Sequence, residues 1–154
     1  MPQIDYFKAQ AKKLFKDYRT QSTYTDEVGG FNYFSYSPKF FDIDRIFIEY
    51  DWDEKNFTLM KAQHLFALLV GFEKWSDLVQ ASSDELELAK LLWENQHKIH
   101  LEEWGDYILQ VEAGNGIKLT AREKLDVFTH VFVKVDGHSN SSPFGDYRLK
   151  NEKN

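Results

Sequence analysis

Apolar residues return every three or four positions along most of this chain, which is the period of an amphipathic helix. In residues 3–19 they are Ile4, Phe7, Ala11, Leu14, Phe15 and Tyr18, with Asp5 in the first turn. Lys8, Lys12, Lys16 and Arg19 form a basic ridge on the opposite side, because side chains four apart lie one above another; it is read as a solvated face. The pattern is lost over residues 20–41, where Gly29, Gly30 and Pro38 interrupt a dense set of rings at Tyr24, Phe31, Tyr33, Phe34, Tyr36, Phe40 and Phe41. Glycine and proline break regular structure, whereas the alternation of Phe31 and Tyr33, running on towards Tyr36, suits a short strand or hairpin. A long, aromatic-anchored loop containing a little strand is predicted here. Loops of this length inside compact domains are uncommon and often functional; the alternative is a lid that seals the core with its rings.

Two periods compete over residues 42–53. Ile43, Ile46, Phe47 and Tyr50 share one side of a helix capped by Asp42 or Asp44, while Ile46, Ile48 and Tyr50 alternate as in a strand; the helical neighbours favour the helix. Thr58 is the next N-cap, and residues 59–70 are apolar nearly all round, with Lys61 and His64 as the narrow polar stripe. Such a helix is central to a core. Gly71 suits the left-handed position that ends a helix, with Phe72 folding back on the last turn, and Trp75, Leu78 and Val79 mark a short helix after it.

Ser82 and Glu85 have capping-box spacing, opening a helix over residues 84–96 with Leu86, Ala89, Leu92 and Trp93 inward. Residues 95–100 read as a break. The next helix starts at Leu101-Glu102-Glu103, its acids near the positive end, with Leu101, Trp104, Ile108 and Val111 as core stripe, and ends at Gly114-Asn115-Gly116. Thr120 and Glu123 form a second capping box before Leu125, Phe128 and Phe132, in a last helix reaching about residue 135. After Gly137 the chain turns polar, yet Phe144, Tyr147 and Leu149 are large apolar groups that a solvated tail has no use for. Residues 143–149 are therefore expected to dock on their own domain or on a partner, leaving 151–154 as a flexible end. The fold class is mainly α: one compact bundle of about five to seven helices over residues 1–150.

The segment Lys61-Ala62-Gln63-His64, followed by Gly71-Phe72-x-x-Trp75-x-x-Leu78, resembles a small helical module of uncharacterised bacterial and phage proteins, including the helical end region of some glyoxalase-superfamily proteins. Trp104, Tyr107, Gly137-His138 and the run from Phe144 to Leu149 are similar to pieces of a longer family of bacterial hypothetical proteins. The resemblance implies a helical fold and transfers no catalytic residue.

Composition narrows the function classes. The 154 residues include no cysteine, which excludes disulfides and thiolate metal sites. The start Met1-Pro2-Gln3 lacks the basic and apolar regions of a signal peptide, and a cytoplasmic location is the default expectation. The apolar run 65–72 is far shorter than the roughly 20 residues of a membrane span, so no membrane partner is expected. A net charge of −6 with interspersed signs disfavours unspecific nucleic-acid binding. The helix pair around Gly71 has a helix-turn-helix outline, but Glu73 and Asp77 equip it poorly for a groove lined by phosphates. Aromatic residues make up 16% of the chain, a surplus over what a small core needs.

No nucleophile elbow, phosphate loop or dinucleotide glycine pattern is present. The acids Glu49, Asp51, Asp53 and Glu54 lack the ligand spacing of a calcium loop. His97 and His100 with Glu94 or Glu103 come nearest to a metal site, although a helix break separates them, and Lys61, Gln63 and His64 form a candidate polar site. No catalytic residue, metal or cofactor is assigned. The leading expectation is a regulatory, adaptor or inhibitor protein that binds another protein through Tyr24, Phe31, Tyr33 and Tyr36 of the loop and Phe144, Tyr147 and Arg148 of the tail, since rings and arginine dominate interface energies. A small metal- or histidine-dependent enzyme and a nucleic-acid-binding module are the alternatives.

Overall fold

The computed structural model describes residues 2–25, 27–30, 32–139 and 146–149. The fold is mainly α, and the element order follows the periodicity closely: α1 (Pro2–Tyr18), the strands β1 (Ser22–Thr25) and β2 (Asn32–Ser35), then α2 (Ile43–Tyr50), α3 (Leu59–Leu69), α4 (Trp75–Gln80), α5 (Ser83–Glu94), α6 (Leu101–Asn115) and α7 (Ala121–Phe128). A π-helical turn, Thr129–Val133, extends α7. No helix among the described residues is long and apolar enough to cross a membrane. The chain separates into two compact units, one of Met1–Ile4 with Ala67–Asp146 and one of Asp5–Phe66 with Tyr147–Asn154; they are called the helical unit and the hairpin unit below.

In the helical unit the core is built around Trp104, whose ring meets Phe128 and Phe132 edge to face at 5.0 and 6.0 Å. Leu92, Ile99 and Ile108 are buried with them. The helices begin where the sequence places caps: both boxes form, with the hydroxyls of Ser82 and Thr120 accepting from the N–H groups of Glu85 and Glu123. A third box was not legible. His100 caps α6 through Nδ1, which accepts from the Glu102 N–H, while the Glu103 carboxylate accepts from the His100 N–H. Gly71 has φ +99° and ends α3 as a Schellman turn, its N–H reaching the Leu68 carbonyl and the Phe72 N–H reaching Ala67. In the short α4 Leu78 fills the inward position and Val79 is exposed. The helix after Thr120 departs from expectation, because the π turn takes over at Thr129; Lys98 Nζ donates to the Phe132 and Val133 carbonyls at its end, where a cation complements the helix dipole.

The hairpin unit is organised by a buried carboxylate. Asp17, in the last turn of α1, is 2% exposed. Its Oδ1 accepts from the Lys39 N–H at 2.9 Å, and its Oδ2 accepts from Phe40 and Phe41 at 2.9 and 2.8 Å. The chain held there starts α2, whose Ile43, Ile46 and Phe47 are buried, so residues 43–50 of the 42–53 stretch are helix rather than strand. The same segment receives the C-terminal residues: the Asp42 N–H donates to the Tyr147 carbonyl at 2.7 Å, the Leu149 N–H donates to Phe40 at 3.0 Å, and Phe41 and Arg148 form an antiparallel bridge. Residues 147–149 thus dock on their own unit, the first of the two outcomes expected for 143–149, while 143–145 and 151–154 lie outside the described residues. Phe7 of α1 and Phe41 both meet Phe66 of α3 with ring centroids 6.2 Å apart.

Removing the Asp17 carboxylate leaves three backbone donors without an acceptor, that of Phe41 buried and those of Lys39 and Phe40 partly buried. Asp17→Ala is expected to lower stability by about 3–5 kcal/mol in denaturant unfolding. Arg122→Ala, which breaks ion pairs of a side chain 67% exposed, is expected to cost less than about 1 kcal/mol.

Candidate functional site

The aromatic loop folds back on itself through Gly30, whose φ of +69° favours glycine. β1 and β2 pair antiparallel with Tyr24 opposite Tyr33. The two rings stack at 5.3 Å and 24°, and both stand in solvent, Tyr24 56% and Tyr33 41% exposed. The hairpin rises from a braced base. The Thr20 hydroxyl donates to the Asp17 carbonyl and accepts from the Ser37 N–H, and Gln21 Nε2 donates to the Tyr36 hydroxyl and the Glu54 carbonyl. Tyr36 donates in turn to the Glu54 carboxylate at 2.7 Å.

Beneath the hairpin the rings of Tyr18, Tyr36, Phe47 and Phe57 close on one another at 4.9–6.2 Å, so the loop seals the core with one part and faces solvent with another. α2 ends in a Schellman turn in which Asp51 takes the left-handed conformation at φ +52°. The Trp52 N–H then reaches back to the Phe47 carbonyl, and its indole meets Phe57 edge to face at 5.8 Å and His64 at 5.7 Å. Between the hairpin and the end of α2 lies an open cleft of about 570 Å³, lined by Tyr33 and Phe34 of β2, Asp44, Phe47 and Ile48 of α2, and Asp51, Trp52 and Glu54 beyond it. Ile48 is 79% exposed at its edge. Partial burial, and then the neighbouring Asp42 charge, raise the Asp44 carboxyl above the usual carboxylate value.

The residues singled out in the sequence are dispersed by the fold. Tyr24 and Tyr33 stand together on the surface; Tyr36 is half-buried as a brace. Tyr147 and Arg148 are buried, 5% and 6% exposed, with the Tyr147 hydroxyl donating to the Glu49 carboxylate. Phe31 and Phe144 lie outside the described residues. Lys61 donates from Nζ to the Asn56 carbonyl, Gln63 is half-buried, and His64 lies against Trp52. His97 is exposed in the turn before α6, whereas His100 is buried as its cap. Among the described residues no group of three or more histidines and acids is placed to hold a metal ion. The Lys8, Lys12, Lys16 and Arg19 ridge is exposed. Ile48, Asp44 and Trp52 were not singled out; the available signal was an isoleucine lying off the Ile43, Ile46, Phe47 stripe of α2.

A second cleft, of about 470 Å³, lies within the helical unit between the end of α3, α5 and α6, with Val70, Phe72, Leu88, Leu92, Leu101 and Trp104 in its walls and Glu85 and Lys124 as its charged members. No family model, curated protein or solved structure matches the chain.

Desolvation first, and then the hydrogen bonds to Glu54 and Glu49, push the phenols of Tyr36 and Tyr147 well above the ordinary tyrosine value of 10.0. A raised folded-state value means that their contribution is intact below pH 10.0 and is lost as the pH rises beyond it, because the unfolded chain ionises first. In an alkaline titration followed by tyrosinate absorbance, these two of the eight tyrosines are expected to ionise together as the hairpin unit unfolds, and Tyr36→Phe is expected to reduce the amplitude of that late transition by about one tyrosine.

Proposed function

We propose that this chain is a protein-binding module that works without catalysis, as a small adaptor, inhibitor or regulator, and that the hairpin surface makes the contact. The observation that carries this reading is the stacked Tyr24 and Tyr33 pair, held in solvent above a braced base, with the exposed Ile48 across the adjoining cleft. A folded chain gains little from exposing rings that stack only on each other. An interface gains much, because tyrosine supplies large rigid contact area at low entropic cost, and aromatic anchors dominate measured binding energies. The hydrogen bonds of Thr20, Gln21 and Tyr36 hold the hairpin before any partner arrives, which lowers the ordering cost of association. The histidines give the enzyme alternative little support, since His100 is a helix cap and His64 lies against an indole ring.

The test compares partner capture by the wild-type chain and by the Tyr24→Ala/Tyr33→Ala variant from a lysate of the source organism, with retained proteins quantified by mass spectrometry. Removing a cross-strand ring pair at an exposed site costs about 1 kcal/mol or less of stability, so the variant stays folded. A protein retained by the wild type and depleted tenfold or more with the variant, a loss of about 1.4 kcal/mol or more, is the expected result. Equal retention by both chains would remove the hairpin from the interface.

A further inference from the structure

The cleft between the hairpin and α2 has a specific chemistry. Three of its lining side chains, Asp44, Asp51 and Glu54, are carboxylates, and no basic side chain lines it among the described residues. The nearby bases are engaged elsewhere: Arg45 lies 3.6 and 3.9 Å from Asp42 and Glu49, and Lys61 holds the Asn56 carbonyl at 2.6 Å. Neither Asp44 nor Asp51 takes part in an ion pair among the described residues. The rest of the lining is largely aromatic, with Phe47 buried and Tyr33, Phe34 and Trp52 partly open.

From this combination we infer that the cleft receives an arginine side chain of the protein partner. The inference rests on the protein-binding reading of the hairpin surface and names what that surface recognises. A guanidinium is planar, stacks on ring faces and presents a fork of donors that matches carboxylates. Rings beside carboxylates answer both properties at once. An ammonium would meet the charge but lacks the planar group that the rings can flank, and a metal ion finds no converging donor set here. The volume of about 570 Å³ falls within the roughly 300–1,000 Å³ of clefts that hold small ligands. The exposed Ile48 at the edge offers apolar contact to the residues that flank the arginine. Asp44 gains further, since burial and Asp42 both work against its charge, and an incoming cation relieves that cost.

The measurement is an NMR titration of the full chain with capped, glycine-flanked peptides that carry arginine, lysine, citrulline or glutamate at the centre. Citrulline keeps the shape of arginine and removes its charge. The arginine peptide is expected to shift the Trp52 indole resonance, assigned through Trp52→Phe, together with the Ile48 methyl resonances, and to bind at least about tenfold more tightly than the citrulline peptide. Asp44→Asn/Asp51→Asn should abolish that preference while keeping the helix end, because asparagine tolerates the left-handed conformation of residue 51. Equal binding of arginine and citrulline, shifts confined to the helical unit, an unchanged preference in the double variant, or no binding at all would each overturn the assignment. If the arginine peptide fails while capture through Tyr24 and Tyr33 succeeds, the arginine assignment falls and the protein-binding reading stands. If capture fails, the reading beneath it falls whatever the peptides do.

Discussion

A carboxylate that has left water behind needs several donors at once, and Asp17 finds them in three consecutive backbone N–H groups. That requirement ties the end of α1 to residues 39–41 with little tolerance for a shift. Everything else in the hairpin unit hangs from the segment so held. Phe41 is seated against Phe66, Asp42 and Ile43 start α2 in register, and the peptide groups of Phe40 to Asp42 present a short edge on which Tyr147 to Leu149 pair. The interaction is local in space and distant in sequence, which lets one side chain set the path of a long loop containing two glycines.

The same constraint shows which features could be read from residues alone. Caps and stops were legible because their partners lie within a few positions: Ser82 with Glu85, Thr120 with Glu123, Thr58 with Lys61, and Gly71 with the turn before it. Asp17 gave no such signal. On a helical wheel it is one more polar residue near a basic ridge, and only the folded loop supplies its donors. His100 was hidden for a different reason, since its cap uses a ring nitrogen where hydroxyl, carboxylate or amide oxygens are the usual acceptors. The π turn after α7 leaves no mark in the apolar spacing of Leu125, Phe128 and Phe132, which suits an α-helix equally well.

The surplus of rings divides into three kinds of work. Phe7, Phe41, Phe47, Phe66 and Phe128 are core in the ordinary sense, fully or nearly fully buried. Tyr147 is buried, Tyr18 and Tyr36 are half-buried, and all three are tied by their hydroxyls, so each fixes the direction of a loop as well as filling space. Tyr24 and Tyr33 do neither. The candidate site was therefore half legible: the alternation in the loop pointed to the tyrosines, but their neighbours Asp44, Ile48 and Trp52 reach them only through the way α2 ends at Asp51. A carboxylate at a left-handed helix end reads, in sequence, as one member of an acidic stretch.

The closing strand pairing of the hairpin unit joins residues 40–42 to residues 147–149, and the bond between Tyr147 and Glu49 spans 98 positions. Between those partners the whole of α4 to α7 is translated. A ribosome building this chain therefore exposes the tyrosine hairpin and an unfinished α2 long before the segment that completes them has been made. The helical unit draws on residues 1–4 and 67–146, all of which precede that segment, so order of synthesis and order of completion run in opposite directions along the chain. Residues 5–66 are made before residues 67–146, yet the unit they belong to is completed after them.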